Sequence, residues 1–183
     1  MFTIRFKTTL FKIDLWTVLM LPKSASAKLP SRGMTMVEGT INGFRFQAAL
    51  EPDGKGSHWF RVDKAMREAA DAGAGDTVVL AIQPTRVWPE PAVPADFKHA
   101  LAVVPQAHSI WIDITPMARW DWIRWIRSTK RPETRMRRIE VACSKLKAGN
   151  RRPCCFNRNV CTVPCVCNKG VLFEHYNDSL SGS

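Results

Sequence analysis

No stretch of this chain reaches the roughly 18 uninterrupted apolar residues that a membrane-crossing helix needs, so an integral membrane protein is not expected. No segment repeats, which excludes a repeat array. No glycine-rich loop stands between a strand and a helix to cradle a phosphate, and no two carboxylates sit at catalytic spacing. These absences argue against an enzyme and imply no cofactor. Acidic residues are scarce in one region above all. Residues 119–169 carry 3 Asp/Glu against 14 Lys/Arg, a net of +11, whereas residues 1–118 carry 11 against 13, a net of +2. The positive potential is therefore concentrated on a C-terminal piece and points to an anionic partner, an acidic protein or nucleic acid; an anionic membrane surface meets the same demand. The bland alternative is a basic surface that serves solubility.

An export signal is also poorly supported. Arg5 and Lys7 precede LWTVLML, and Ala25-Ser26-Ala27 has the look of a cleavage site. Lys12 and Asp14 interrupt the apolar region, however, and FTIRFKTTLFKI alternates Phe2, Ile4 and Phe6 with Thr3, Arg5 and Lys7. That is strand period from residue 2 onward. The expectation is a cytoplasmic protein, with the periplasm as the alternative.

What is present reads as strands first and helices later. TVLMLP (17–22) is a short strand closed by Pro22. Asn42-Gly43 between two apolar-rich runs predicts a hairpin, because a two-residue type I′ turn needs positive φ at both central positions. A Gly-rich turn at 53–56 leads into another strand, and Asp63 can cap a short helix, KAMREAADAG, that ends at Gly73. GDTVVLAIQP (75–84) is a continuous apolar strand, suited to burial on both faces if central. Six or so strands with one interposed helix predict a small barrel or a strongly curved sheet. After Trp88, proline-rich PEPAVPADF leads to a helix in ADFKHALAVVP. Thr115 and Pro116 open the next helix as cap and first residue. Pro132 opens a third, with Met136, Ile139, Cys143 and Leu146 inward and Gly149 at its stop.

Laid out in this way, the chain resembles the bacterial family labelled YdeI/OmpD-associated, or bacteriocin-protection. The resemblance is carried by LPKSASAKLPSRG (21–33), EGTINGFRF (38–46), PDGKGSHWFRV (52–62), the Gly75-Asp76 strand start, VPADFKHAL (93–101), TPMARWDWIRWI (115–126), ETRMRRIE (133–140) and RRPCCFN (151–157). It implies an α+β protein: a small double-split-type β-barrel of unknown function at 1–90, followed by a short helical C-terminal module. A connector and helix at 91–114 precede a basic helical module at 115–158, and 159–183 is a loose tail containing cysteines. The family name implies stress protection and, by name alone, a porin association. In the family, 21–33 belongs to the barrel, which weakens the export reading further.

Five of the six cysteines lie in 151–167, at successive separations of one, six, four and two residues. Only Cys161 and Cys165 approach the usual spacing of structural zinc ligands, and His175 lies far downstream, so no metal site is expected. Disulfides need an oxidising compartment. Cys154 and Cys155 are candidate reactive thiols beside Arg151 and Arg152, or packed small hydrophobes beside Phe156. No His or acid is placed to complete a nucleophilic site. For an anionic partner the candidates are Arg131, Arg135, Arg137, Arg138, Lys145, Arg151 and Arg152, whose phosphate contacts would make binding salt-dependent. Trp122 and Trp125 share an apolar stripe and are expected to dock their helix on the barrel, whereas Trp120 lies off that stripe as the candidate exposed contact. His58 and Trp59 form the candidate barrel-rim site, against the alternative of a packed structural pair.

Overall fold

The computed structural model describes residues 2–154 and 156–173. The chain divides into two compact units. The first runs to Arg86 and takes in Asn159–Cys161 and, of the described residues after it, Cys165 to Phe173; the second is Val87–Arg158 with Thr162–Pro164. Among the described residues no helix is long and apolar enough to cross a membrane.

The first unit contains β1 (Ile4–Thr9), β2 (Phe11–Ile13), β3 (Trp16–Met20), α1 (Lys23–Ser26), β4 (Thr35–Ile41), β5 (Phe44–Pro52), β6 (His58–Arg61), α2 (Lys64–Ala70) and β7 (Thr77–Pro84). They form one antiparallel sheet in the order β1-β7-β4-β5-β6-β3-β2. The strand expected from residue 2 breaks at Leu10, which is fully buried and exchanges backbone bonds with Asp76 and Gly75 (2.9 and 2.7 Å). Because of that bend, a single segment supplies both edge strands: β1 pairs with β7 and β2 with β3. The sheet consequently curls into a half-barrel, and Thr8 Oγ1 donates to the Met20 carbonyl across the bend (2.9 Å). Ile4, Leu19, Leu21, Val37, Leu50, Leu80 and their neighbours fill its interior. The protein is thus α+β, with a barrel-like N-terminal sheet followed by helices.

The Asn42-Gly43 turn has φ of 47° and 84°, the left-handed pair that a type I′ hairpin requires, and β4 and β5 zip from Ile41 opposite Phe44 to Thr35 opposite Leu50. Asp63 caps α2 by accepting from the Met66 amide (2.9 Å), but the helix ends earlier than Gly73, at Asp71, which adopts φ 51°. β7 is not buried on both faces. It alternates, with Val78, Leu80 and Ile82 inward and Thr77, Val79, Ala81 and Gln83 on the other face. Its central position between β1 and β4 did not bring a second covering layer, and an antiparallel sheet can leave one face to solvent.

The helical unit contains α3 (Ala95–Ala102), α4 (Pro105–Asp113), α5 (Pro116–Arg127) and α6 (Pro132–Lys147). Thr115 caps α5 by accepting from the Ala118 amide (3.2 Å). Helix α4 has no counterpart among the expected elements: Ala107, Ile110 and Trp111 are too few to stand out against His108, Ser109 and Asp113. The apolar faces converge on Phe97, Leu101, Trp111, Trp122, Ile126, Ile139 and Leu146. Trp122 is buried in the helical unit's own core and Trp125 packs against it, the two rings meeting edge to face at 6.0 Å. Met136 faces outward at 64% exposure, and Ala142 lies inside beside Ile139, Cys143 and Leu146.

The described part of the expected loose tail is folded. β8 (Cys167–Asn168) pairs with β9 (Val171–Leu172), the Leu172 amide donates to the Asp53 carbonyl (2.9 Å), and Cys161 is disulfide-bonded to Cys167 with Cα atoms 6.0 Å apart. Val166, Cys167 and Leu172 are buried, which supplies apolar surface that the sequence reading did not credit to this segment. Gly54 lets it approach closely, since a Cβ there would lie 2.1 Å from the Gly170 carbonyl oxygen.

Candidate ligand-binding face of the half-barrel

Strand alternation sends one set of side chains into the core and the other set outward, and the register then decides which outward residues meet. On the outer face Arg5 stands opposite Ala81, Ala81 opposite Thr40, and Thr40 opposite Arg45, a single row across β1, β7, β4 and β5. Beside it runs a second row, Gln83–Glu38–Gln47, in which Gln83 Nε2 donates to Glu38 Oε1 (2.8 Å). These rows line an open cleft of about 770 Å³, together with Thr3, Gly39, Phe46 and Ile82. Its size lies in the range of small-molecule sites. Gly39 holds the floor together: a Cβ there would sit 2.0 Å from the Ala81 carbonyl oxygen, so only glycine lets β4 and β7 approach this closely.

The sequence-predicted candidates fare differently. His58 and Trp59 are not on a rim; they are 0% and 1% exposed. His58 Nε2 donates to the Gly33 carbonyl (2.8 Å), which leaves Nδ1 to accept from the Ser26 hydroxyl (2.7 Å). Arg32 also donates to Ser26 Oγ (3.1 Å). Burial pushes the imidazole pKa below its ordinary value, opposed by the bond to Gly33, so the ring is held neutral. A serine bonded to a histidine base is a pattern seen in nucleophilic sites. Here both members are fully buried and fasten α1 and the bend at Gly33 to β6, a structural task. Trp59 Nε1 likewise donates to the Pro52 carbonyl (3.2 Å).

Several of the basic residues expected to meet an anionic partner are occupied inside the helical unit. Arg135 grips Asp96 through two bonds, Nε to Oδ2 at 2.7 Å and a terminal nitrogen to Oδ1 at 3.0 Å, which lowers the Asp96 pKa. Arg138 lies over the Trp125 ring and donates to the Trp125 carbonyl and the Ser128 hydroxyl (2.7 and 2.6 Å), closing the C-terminus of α5. Arg151 pairs with Asp113 (2.8 Å), and Arg152 reaches the Met117 sulfur (3.9 Å). Arg131 and Arg137 are exposed, and Lys145 is half-buried. Beyond that set, Arg119 pairs with Glu90 and Arg158 with Asp121. Much of the charge excess thus has architectural work, which sequence separations of about 30 to 40 residues concealed.

Trp120 is not an exposed contact. It is half-buried, and its indole N–H donates to the Pro89 carbonyl (3.0 Å). Cys154 is exposed, Cys155 lies outside the described residues, and Cys143 is buried with its thiol pKa raised by desolvation. Among the described residues no group of three or more His, Cys, Asp or Glu could hold a metal ion.

Of the cleft residues, only Thr3 and Arg5 stood on the polar side of a strand whose alternation is plain in the sequence. Arg5 was recognisable as outward-facing, but nothing local could align it with Arg45.

Two family matches cover most of the chain. Residues 6–82 match the domain of unknown function (DUF1905), and residues 90–149 match the family described as Bacteriocin-protection, YdeI or OmpD-Associated. No curated protein matches the chain.

Proposed function

Because the chain belongs to the YdeI/OmpD-associated family and carries its N-terminal domain of unknown function, we propose that it is a non-enzymatic binding protein whose half-barrel face receives a small ligand. The observation that carries this reading is the open cleft of about 770 Å³ on the outer face of β1, β7, β4 and β5. Its floor is built from regular strands, so its polar groups are held in place by backbone pairing rather than by mobile loops. The lining is rich in amides, hydroxyls and guanidinium groups but contains no nucleophile paired with a base. Sequestering or sensing a ligand is the kind of activity on which bacteriocin protection, the role in the family description, can draw. The Cys161–Cys167 pair favours an oxidising compartment over the cytoplasm, because cytosolic thiols are kept reduced.

The test is a screen of anionic, neutral and cationic small molecules against ¹⁵N-labelled protein. Hits should perturb amides of Arg5, Thr40, Arg45 and Ala81 and leave α3–α6 unchanged. Hits that cluster on the helices, or a hit that is chemically converted, would overturn the reading.

A further inference from the structure

The way this protein uses its arginines separates two groups. In the helical unit Arg119, Arg135, Arg151 and Arg158 each have a carboxylate partner. Arg5 and Arg45, at the two ends of the cleft row, have neither an ion pair nor a side-chain hydrogen bond among the described residues. The one carboxylate in the lining, Glu38, stands in the neighbouring row and already accepts from Gln83. Lys7, one row further along β1 and opposite Val79, adds a third positive charge to the same face.

Between the two arginines lie Ala81 and Thr40, the smallest side chains of the row. With three inter-strand steps from β1 to β5, the backbone positions of Arg5 and Arg45 are about 14 Å apart. Two long side chains at that spacing, with a low saddle between them, cannot share one compact anion without both leaning far inward. They match an elongated molecule with a negative group at each end. Guanidinium groups suit carboxylate and phosphate alike, because their paired N–H donors fit two oxygens at once.

Resting on the reading of this cleft as the binding face, we infer that its ligand is a small elongated molecule with one anionic group, carboxylate or phosphate, at each end, held at one end by Arg5 and at the other by Arg45. Thr40 supplies a hydrogen bond to its middle, and Gln47, on β5 beside Arg45, one to the end that Arg45 holds. Glu38 limits how much negative charge the centre of the ligand carries, which favours charge at the two ends.

The test titrates the full-length protein with suberate, fructose 1,6-bisphosphate and inorganic phosphate, followed by NMR and calorimetry. At least one of the two end-charged probes should bind with perturbation at Thr40 and Ala81, at least tenfold more tightly than inorganic phosphate. Preference between them tells carboxylate from phosphate. Arg5→Gln and Arg45→Gln, both at exposed positions, should each weaken that probe at least tenfold, and the double variant should abolish binding. Undiminished binding in the double variant, equal affinity for inorganic phosphate, or no binding of either end-charged probe overturns the inference. If neutral or cationic molecules from the screen still perturb the cleft amides, only the assignment of an anionic group to each end fails. If nothing reaches the cleft, the reading beneath it fails too.

Discussion

Acidification should destabilise the half-barrel through His58. The ring is fully buried, donates through Nε2 to Gly33 and accepts through Nδ1 from Ser26. Protonation puts a hydrogen on Nδ1, where the Ser26 hydroxyl must reverse its role, and places a charge beside Arg32, which bonds the same hydroxyl. Desolvation by burial is the leading cause of the lowered pKa, the Gly33 bond opposes it, Arg32 adds to it, and Asp53 and Glu51 oppose it. The folded pKa therefore lies below the ordinary value of 6.5, and the unfolded chain binds the proton first. Stability from this group is fully present above pH 6.5 and is lost as pH falls through the folded pKa. Between the two values the loss approaches about 1.4 kcal/mol per pH unit for one proton. Urea denaturation at half-unit steps from pH 7.5 to 4.5, run on the wild type and on His58→Gln, isolates this contribution because the other titrating groups are common to both. The wild type should lose stability more steeply than the variant below pH 6.5. Ser26→Ala, which leaves Nδ1 buried without its donor, should cost about 1–3 kcal/mol at neutral pH. Parallel curves for wild type and His58→Gln, or a His58 ring that titrates at or above 6.5, would refute the reasoning.

Three further outcomes follow from local geometry. Gly39→Ala should cost about 3 kcal/mol, since the new Cβ meets backbone that cannot move aside, and the thermal midpoint should fall accordingly. Thr115→Ala should cost about 1 kcal/mol in chemical denaturation through loss of the α5 cap, with Thr115→Ser retaining most of the stability. Arg135→Ala should return the Asp96 carboxyl towards its ordinary titration range, read by NMR, at a cost of only about 0.5 kcal/mol because the pair is partly exposed to solvent. The stabilisation it removes is present above the ordinary Asp96 pKa and vanishes as pH falls through the depressed one.

The same contrast between local and distant partners explains what was readable. The Asn42-Gly43 hairpin, the Asp63 and Thr115 caps, and the starts of α5 and α6 at Pro116 and Pro132 depend on residues within a few positions of one another. Those elements were accordingly legible from order alone. The fate of individual side chains was less so. Arg135 looked like a free cation until Asp96, 39 residues earlier, came beside it. His58 looked like a rim residue until Ser26 and Gly33 closed around it. The folded segment at 159–173 escaped notice because its anchor, the Asp53 turn, lies more than a hundred residues away.

By itself, the sequence determined that strands precede helices, that positive charge gathers towards the C-terminus, and that β1 presents alternate polar residues outward. Short-range sterics, capping and periodicity act between near neighbours and survive in the order of residues. Tertiary structure alone decided that Arg5, Ala81, Thr40 and Arg45 form one row, because strand register across a curled sheet is set by the packing of the buried face. It also decided which arginines pair with carboxylates, since that turns on distances no linear spacing encodes.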